Sequence, residues 1–223
     1  MRQPFVYTPP TGPIVILHET DTVLFVDKPA GLLSVPGRLP EHRDSLLGRL
    51  EAQMPNIRLV HRLDMDTSGV MVFAKSDQAQ RDINRQFEQR SVRKTYLAEV
   101  SGQIADAGTV DLPLMADWPN RPLQKVDAAG KPSVTHWRVL ARRDQSCIVE
   151  LTPETGRSHQ LRVHMAAQGH AIVGDVFYAS SDVAARSDRL MLHAHCLGLK
   201  MPGDDAVFSV SASCEFFATE QIP

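Results

Sequence analysis

The sequence predicts an α+β fold, with a mixed, largely antiparallel central sheet flanked by helices and loops. Three observations carry this. Short apolar or alternating runs recur along the chain with tight turns between them, which suits antiparallel strands. Only three stretches have the spacing of an amphipathic helix. No internal repeat and no linker divides the chain, and 223 residues that are 43% hydrophobic suffice for one substantial core.

The elements follow in order. Met1 to Pro13 carries Pro4, Pro9, Pro10 and Pro13 and is expected to be an irregular arm before a single domain spanning 14–223. Ile14–Leu17 and Thr22–Val26 are predicted strands around a Glu19-Thr20-Asp21 turn. The prolines and glycines of DKPAGLLSVPG, Asp27 to Gly37, force a shaped loop. Asp44–Gln53 has helical spacing, with Leu46, Leu47 and Leu50 on one side, and Val70–Ala74 is apolar enough for a buried strand. Ser76 is placed to cap a helix from Asp77 to about Gln89, with Ala79, Ile83 and Phe87 facing the core. In the predicted strand Thr95–Val100, Tyr96, Ala98 and Val100 share a face. Residues 102–133 are rich in Gly, Pro and Asp and read as irregular. Strands resume at Val134–Leu140 and Cys147–Thr152, a helix at His159–Gln168 ends at Gly169, and Arg189–Leu199 and Val207–Ser211 close the chain as strands.

Composition excludes several classes. The start lacks the basic-then-apolar order of a signal peptide, and no apolar run approaches membrane-spanning length. Cys147, Cys196 and Cys214 are odd in number and widely spaced, as expected of thiols in a reducing, cytoplasmic protein. The net charge of −2 hides segregation: residues 117–143 carry six cations against two acids, whereas residues 200–223 carry one cation against four acids. Such segregation allows one basic face, although runs of this kind are also ordinary solvated surface. His193 and His195 would share a strand face, but no acidic or cysteine ligand joins them at a convincing spacing, so no metal is expected. GxGxxG, GxxxxGK[ST] and GxSxG are all absent.

The informative segment is HRLDMDTSGVMVFAKS, His61 to Ser76. It sets Arg62 two residues from Asp64 and closes with a Thr67-Ser68-Gly69 turn into an apolar strand, where a scaffold can present a reactive side chain. Asp64 is either that side chain or a cap for the turn through Thr67 or Ser68, and Asp66 is its local rival. Two further blocks follow, RKTYLAEVSG (Arg93–Gly102) and ETGRSHQLRVHMAAQGHAIVGDVFY (Glu154–Tyr178). Together the three blocks resemble the RluA family of pseudouridine synthases, and the chain is identified as a member of it.

That resemblance implies the pseudouridine synthase fold, an isomerase acting on uridine in RNA, and Asp64 as the catalytic group. A carboxylate can attack or remove a proton without first losing one at neutral pH. Arg162, in QLRVH, resembles the family's basic partner of that aspartate, and its apolar neighbours Leu161, Val163 and Met165 suggest a buried arginine in want of a carboxylate. Leu161 is placed with it among the substrate-binding residues. Tyr96 resembles the family tyrosine that stacks on the base; as a strand aromatic it would simply be core. Arg62 is expected to fill the gap left by a flipped base. No cofactor is implied, because the isomerisation needs neither redox partner nor external energy.

The runs GLLSVPGR (Gly31–Arg38) and DLPLMADWPNRPLQK (Asp111–Lys125), together with the short length, resemble family members that modify a hairpin of large-subunit ribosomal RNA and the anticodon stem-loop of several tRNAs. Such members lack the extra N-terminal RNA-binding domain, and the early Asp27–Gly37 motif leads us to expect none here. Trp118, Asn120 and Arg121 are then expected to clasp the RNA loop by stacking, hydrogen bonding and phosphate contact. A monomer with RNA as its partner, no obligate protein partner and no membrane is expected. The alternatives are action on only one of these RNAs, a non-catalytic RNA-binding module, or a metal-dependent hydrolase.

Overall fold

The structure is a computed structural model that describes residues 6–217; the first five residues of the expected arm and residues 218–223 lie outside the described residues. Strands β1 (Val15–Glu19) and β2 (Val23–Lys28) form a hairpin, and a loop then leads through a 3-10 turn at Pro40–His42 into α1 (Leu46–Glu51). The two-residue β3 (Arg58–Leu59) precedes the HRLD loop, followed by β4 (Ser68–Ala74), α2 (Asp77–Glu88) and β5 (Arg93–Ser101). Next come β6 (Ala107–Asp111), β7 (Leu114–Ala116), a 3-10 turn at Trp118–Asn120, and β8 (Gln124–Val126). The chain finishes with β9 (Val134–Arg142), β10 (Ser146–Pro153), α3 (Gln160–Ala167), α4 (Ser181–Ala184), β11 (Leu192–Lys200), β12 (Val207–Ser211) and a 3-10 turn at Glu215–Phe217.

Ten strands form one sheet in the order β1-β2-β4-β11-β5-β10-β9-β6, with β3 added to β4 and β12 to β11. Every pairing in it is antiparallel except β4 with β11. β7 and β8 make a separate small hairpin. Alternation explains why β4 is apolar throughout. Val70 and Val72 pack with Ala79 and Ile83 of α2, while Met71 and Phe73 pack with Leu46 and Leu50 of α1. Ser45 and Ser76 cap α1 and α2 by accepting from the Gly48 and Ala79 amides, both at 3.1 Å. Against α3, the β5 face of Ala98 and Val100 meets Val149 and Leu151 of β10.

One sequence expectation needs correction, and the charge segregation takes its ordinary reading. Residues 102–133 contain three short strands, and β6 forms because β9 offers it an edge. Gly108 is required there: a Cβ would lie 2.2 Å from the Trp137 ring. The cationic run at 117–143 is also largely compensated. Lys125 meets Asp127 at 2.9 Å, Arg138 meets Glu150 at 3.0 Å, and Arg142 and Arg143 meet Asp106 and Glu99 at 2.6 Å. It does not stand as a block of uncompensated charge.

The shaped loop after β2 grips the HRLD loop on both sides of Asp64. Ser34 Oγ donates to the Leu63 carbonyl at 2.7 Å and accepts from the Leu63 amide at 3.2 Å. The Met65 carbonyl accepts from the Gly31 amide at 2.9 Å and from Lys28 Nζ at 2.8 Å. Lys28 Nζ also donates to the carbonyls of Pro29 and Leu32, at 2.9 and 2.7 Å. Burial pushes this ammonium down to about 7, whereas three carbonyl partners need all three of its N–H bonds. Lys28→Met leaves those carbonyls without their donor and is expected to cost about 2–4 kcal/mol of stability, read from urea unfolding. A loss below about 1 kcal/mol would show that the two loops hold together without it.

Candidate active site

Asp64 sits at the start of a turn closed by its own carbonyl, which accepts the Thr67 amide at 3.2 Å. The Ser68 hydroxyl is engaged elsewhere, 2.8 Å from His193 Nδ1 and accepting from Arg189 Nη2 at 2.6 Å. The Asp64 carboxylate instead faces Arg162, with Nη1 to Oδ2 at 3.9 Å, and its side chain keeps 28% exposure. Behind the turn, His61 Nε2 accepts the Val72 amide at 3.0 Å, and its ring stacks on Phe87. Burial pushes that imidazole down to about 4, so it remains a neutral acceptor. Gly69 lets β4 approach β11: its φ is +112°, and a Cβ would lie 2.2 Å from the Ala194 carbonyl oxygen.

Arg162 is 2% exposed and makes a two-pronged pair with Asp175, Nε to Oδ2 at 2.8 Å and Nη2 to Oδ1 at 2.7 Å. Burial pulls its pKa down, but the Asp175 bonds and the charges of Asp175, Asp64 and Asp66 outweigh this and leave it raised. Asp175 is itself pinned by the Phe177 and Tyr178 amides, at 2.9 and 3.2 Å. The sequence reading missed Asp175, although it lay within the third block. A buried arginine needing a carboxylate was the available signal. Asp66 does not line the cleft, and burial raises its pKa against the opposing charges of Arg162 and Lys28.

Arg62, Asp64, Tyr96, Leu161 and Arg162 all border one open cleft of about 100 Å³. Lys94, Thr155, His159 and Leu192 line it as well, none of them assigned to the site from sequence. Burial, reinforced by Asp64, raises the Tyr96 phenol above its ordinary pKa, so it stays protonated. Lys94 is brought to about 8, chiefly by burial. Arg62 is exposed at the rim.

Trp118, Asn120 and Arg121 do not line this cleft. They sit on the β7–β8 loop, where Trp118 is 64% exposed and one ring face is covered by the Arg121 guanidinium, 3.3 Å from the ring centroid. Asn120 Nδ2 donates to Asp117 Oδ2 at 2.8 Å. The loop's connection to the cleft is the Gln124 amide, which donates to Tyr178 Oη at 2.9 Å. Among the histidines, His164 and His193 use both ring nitrogens on protein atoms. Among the described residues, no group of three or more His, Cys, Asp or Glu could hold a metal ion, and no helix is long and apolar enough to cross a membrane.

Comparison with known proteins agrees with this geometry. Residues 22–167 match the model of the RNA pseudouridylate synthase family. The chain is 52% identical to the dual-specificity RNA pseudouridine synthase RluA of Vibrio vulnificus, over 95% of this chain and 88% of that protein. It is 49% identical to the RluA of Escherichia coli strain K12, over 94% of this chain and 98% of that one. Among solved structures, human RNA pseudouridylate synthase domain containing 1 superposes with a TM-score of 0.78 at 29% identity, covering 98% of this chain and 89% of that chain.

The geometry makes Asp175 the anchor of the site. Asp175→Asn leaves a buried guanidinium without its charge partner and is expected to lower stability by about 3–5 kcal/mol in chemical denaturation. Asp64→Asn acts on a longer, partly exposed contact and should change stability by less than about 1 kcal/mol. Equal effects of the two substitutions would contradict that division.

Proposed function

This chain belongs to the RNA pseudouridylate synthase family, and from that premise we propose how its cleft isomerises uridine and which RNAs it takes. Pseudouridine formation breaks the N1–C1′ bond, turns the base, forms C5–C1′, and moves the C5 proton to solvent while N1 regains one. The balance needs no oxidant and no energy source. Asp64 is the group that acts at C1′ or C2′ of the ribose. Its support is the one observation that separates it from a turn cap: its carboxylate faces the cleft and Arg162 while the backbone closes the turn. Arg162, 3.9 Å away, aims that carboxylate into the cleft. Tyr96, neutral because it is buried, offers its ring face to the base. Leu161 borders the same cleft as an apolar wall.

The substrates are a hairpin of large-subunit ribosomal RNA and the anticodon stem-loop of tRNAs, in keeping with relatives named as dual-specificity enzymes. The β7–β8 loop supplies a clasp for such loops. The uncovered face of Trp118 stacks, Arg121 meets phosphate, and the Asn120 carbonyl oxygen accepts a hydrogen bond, its amide being turned to Asp117. The enzyme works in the cytoplasm, in keeping with its widely spaced cysteines, and as a monomer.

Asp64→Asn should abolish pseudouridine formation on both RNAs while leaving RNA affinity nearly intact, since a group acting in the transition state contributes to turnover far more than to binding. Retention of about a tenth of wild-type turnover would remove Asp64 from this role. Pseudouridine mapping of both RNAs, with and without the protein, tests the dual specificity.

Arg62→Ala should impair a structured hairpin at least about ten-fold more than a flexible strand of the same nucleotides. Opening a stacked loop costs a few kcal/mol, and a planar guanidinium that fills the gap offsets it. Equal losses on both substrates would mean that Arg62 contacts phosphate or shapes the Asp64 loop.

A further inference from the structure

His159 borders the cleft beside Asp64, Tyr96 and Arg162. It stands at the N-terminus of α3 with φ +54°, a left-handed conformation unusual for a residue other than glycine. Its ring stacks on Phe177, with centroids 5.8 Å apart and planes inclined by 23°. Its Nδ1 lies 2.6 Å from Tyr178 Oη. That phenol already accepts the Gln124 amide, and burial pushes its pKa up to about 12, so it retains its proton. With the Gln124 amide already on the oxygen, the phenolic proton is assigned to His159 Nδ1. Burial, helped by the Arg162 charge, lowers the imidazole pKa against the pull of Asp64, and the ring stays neutral. A neutral imidazole that accepts at Nδ1 carries its own proton on Nε2. Among the described residues, no acceptor meets that Nε2–H.

Of the other groups of the cleft, Arg162 is committed to carboxylates. Arg162 gives Nε and Nη2 to Asp175 and turns Nη1 toward Asp64, while Tyr96 presents a ring. Uracil presents two carbonyl oxygens on its edge, and once cut from the ribose it carries negative charge spread onto them. A neutral donor stabilises that charge without adding a cation to compete with Arg162 for Asp64. We infer that His159 Nε2–H donates a hydrogen bond to a uracil carbonyl oxygen and helps select and hold the detached base, with Tyr178 as the residue that sets its tautomer. The inference rests on the pseudouridine synthase assignment of the cleft.

Two substitutions separate a donor from a backbone role. The amide nitrogen of glutamine takes the place of imidazole Nε2, whereas that of asparagine takes the place of Nδ1. Asparagine, however, is the better residue for a left-handed φ. On a transcribed anticodon stem-loop, His159→Gln should keep kcat within about ten-fold of wild type, and His159→Asn should lose about a hundred-fold or more, the usual effect of removing such a donor. Asparagine performing as well as or better than glutamine would overturn the proposal. Nitrogen NMR of the imidazole in the wild-type protein gives a readout independent of any variant. An unprotonated Nδ1 and a protonated Nε2 are expected, and the opposite tautomer or an imidazolium at neutral pH would overturn it. With 2-thiouridine and 4-thiouridine at the target position, wild type should weaken on the one whose sulfur replaces the bonded oxygen, and His159→Asn should add no further loss there. If wild type forms no pseudouridine in any RNA, the assignment of the cleft fails, and this proposal with it, whatever the tautomer.

Discussion

A guanidinium that keeps 2% of its surface is tolerated in a core only when carboxylates meet it in good geometry, and Arg162 organises the functional end of the molecule for that reason. Asp175 takes two of its nitrogens at 2.7–2.8 Å, and Asp64 lies 3.9 Å from a third. The first pair is structural and nearly dry. The second reaches into the cleft. One cation thus fastens α3 to the Gly174–Tyr178 turn and also faces the Asp64 carboxylate in the cleft. The turn itself depends on Gly174, whose φ is +76° and where a Cβ would lie 1.9 Å from the Arg189 carbonyl oxygen.

Asp64 is constrained from the opposite side as well. Its two chain neighbours, Leu63 and Met65, are bonded to Ser34, Gly31 and Lys28, so the loop after β2 acts as a second frame. The carboxylate therefore moves little relative to β4, β5 and β11, the central strands of the sheet. Such preorganisation is what a reaction with a released base requires, because a free uracil must be recaptured at a different atom before it diffuses away. The Trp118–Arg121 loop lies outside this rigid centre, on a small hairpin joined to it through Tyr178.

Much of the fold was legible in the sequence because local rules and tertiary packing agree. The cap at Ser76, the α2 stripe of Ala79, Ile83 and Phe87, and the doubly apolar β4 each follow from local residue type and periodicity. The region 102–133 was not legible. Strands β6, β7 and β8 have three to five residues, weak propensity, and stability borrowed from partners remote in sequence. The compensation of the charged run of 117–143 was hidden for the same reason: most of its acids, Glu99, Asp106 and Glu150, lie outside it, largely across neighbouring strands.

The sequence by itself determined the family, the order of the elements, and the three blocks that carry Asp64, Tyr96 and Arg162. Motif spacing and hydrophobic period are local properties, and they survive without coordinates. Only the tertiary structure decided which carboxylate holds Arg162 and that Lys94 and His159 join the cleft. Those outcomes depend on hydrogen-bond partners that are 13, 19 and more residues apart. Directional bonds at 2.6–3.0 Å are set by how the loops converge at the strand ends, and no one-dimensional pattern records that convergence.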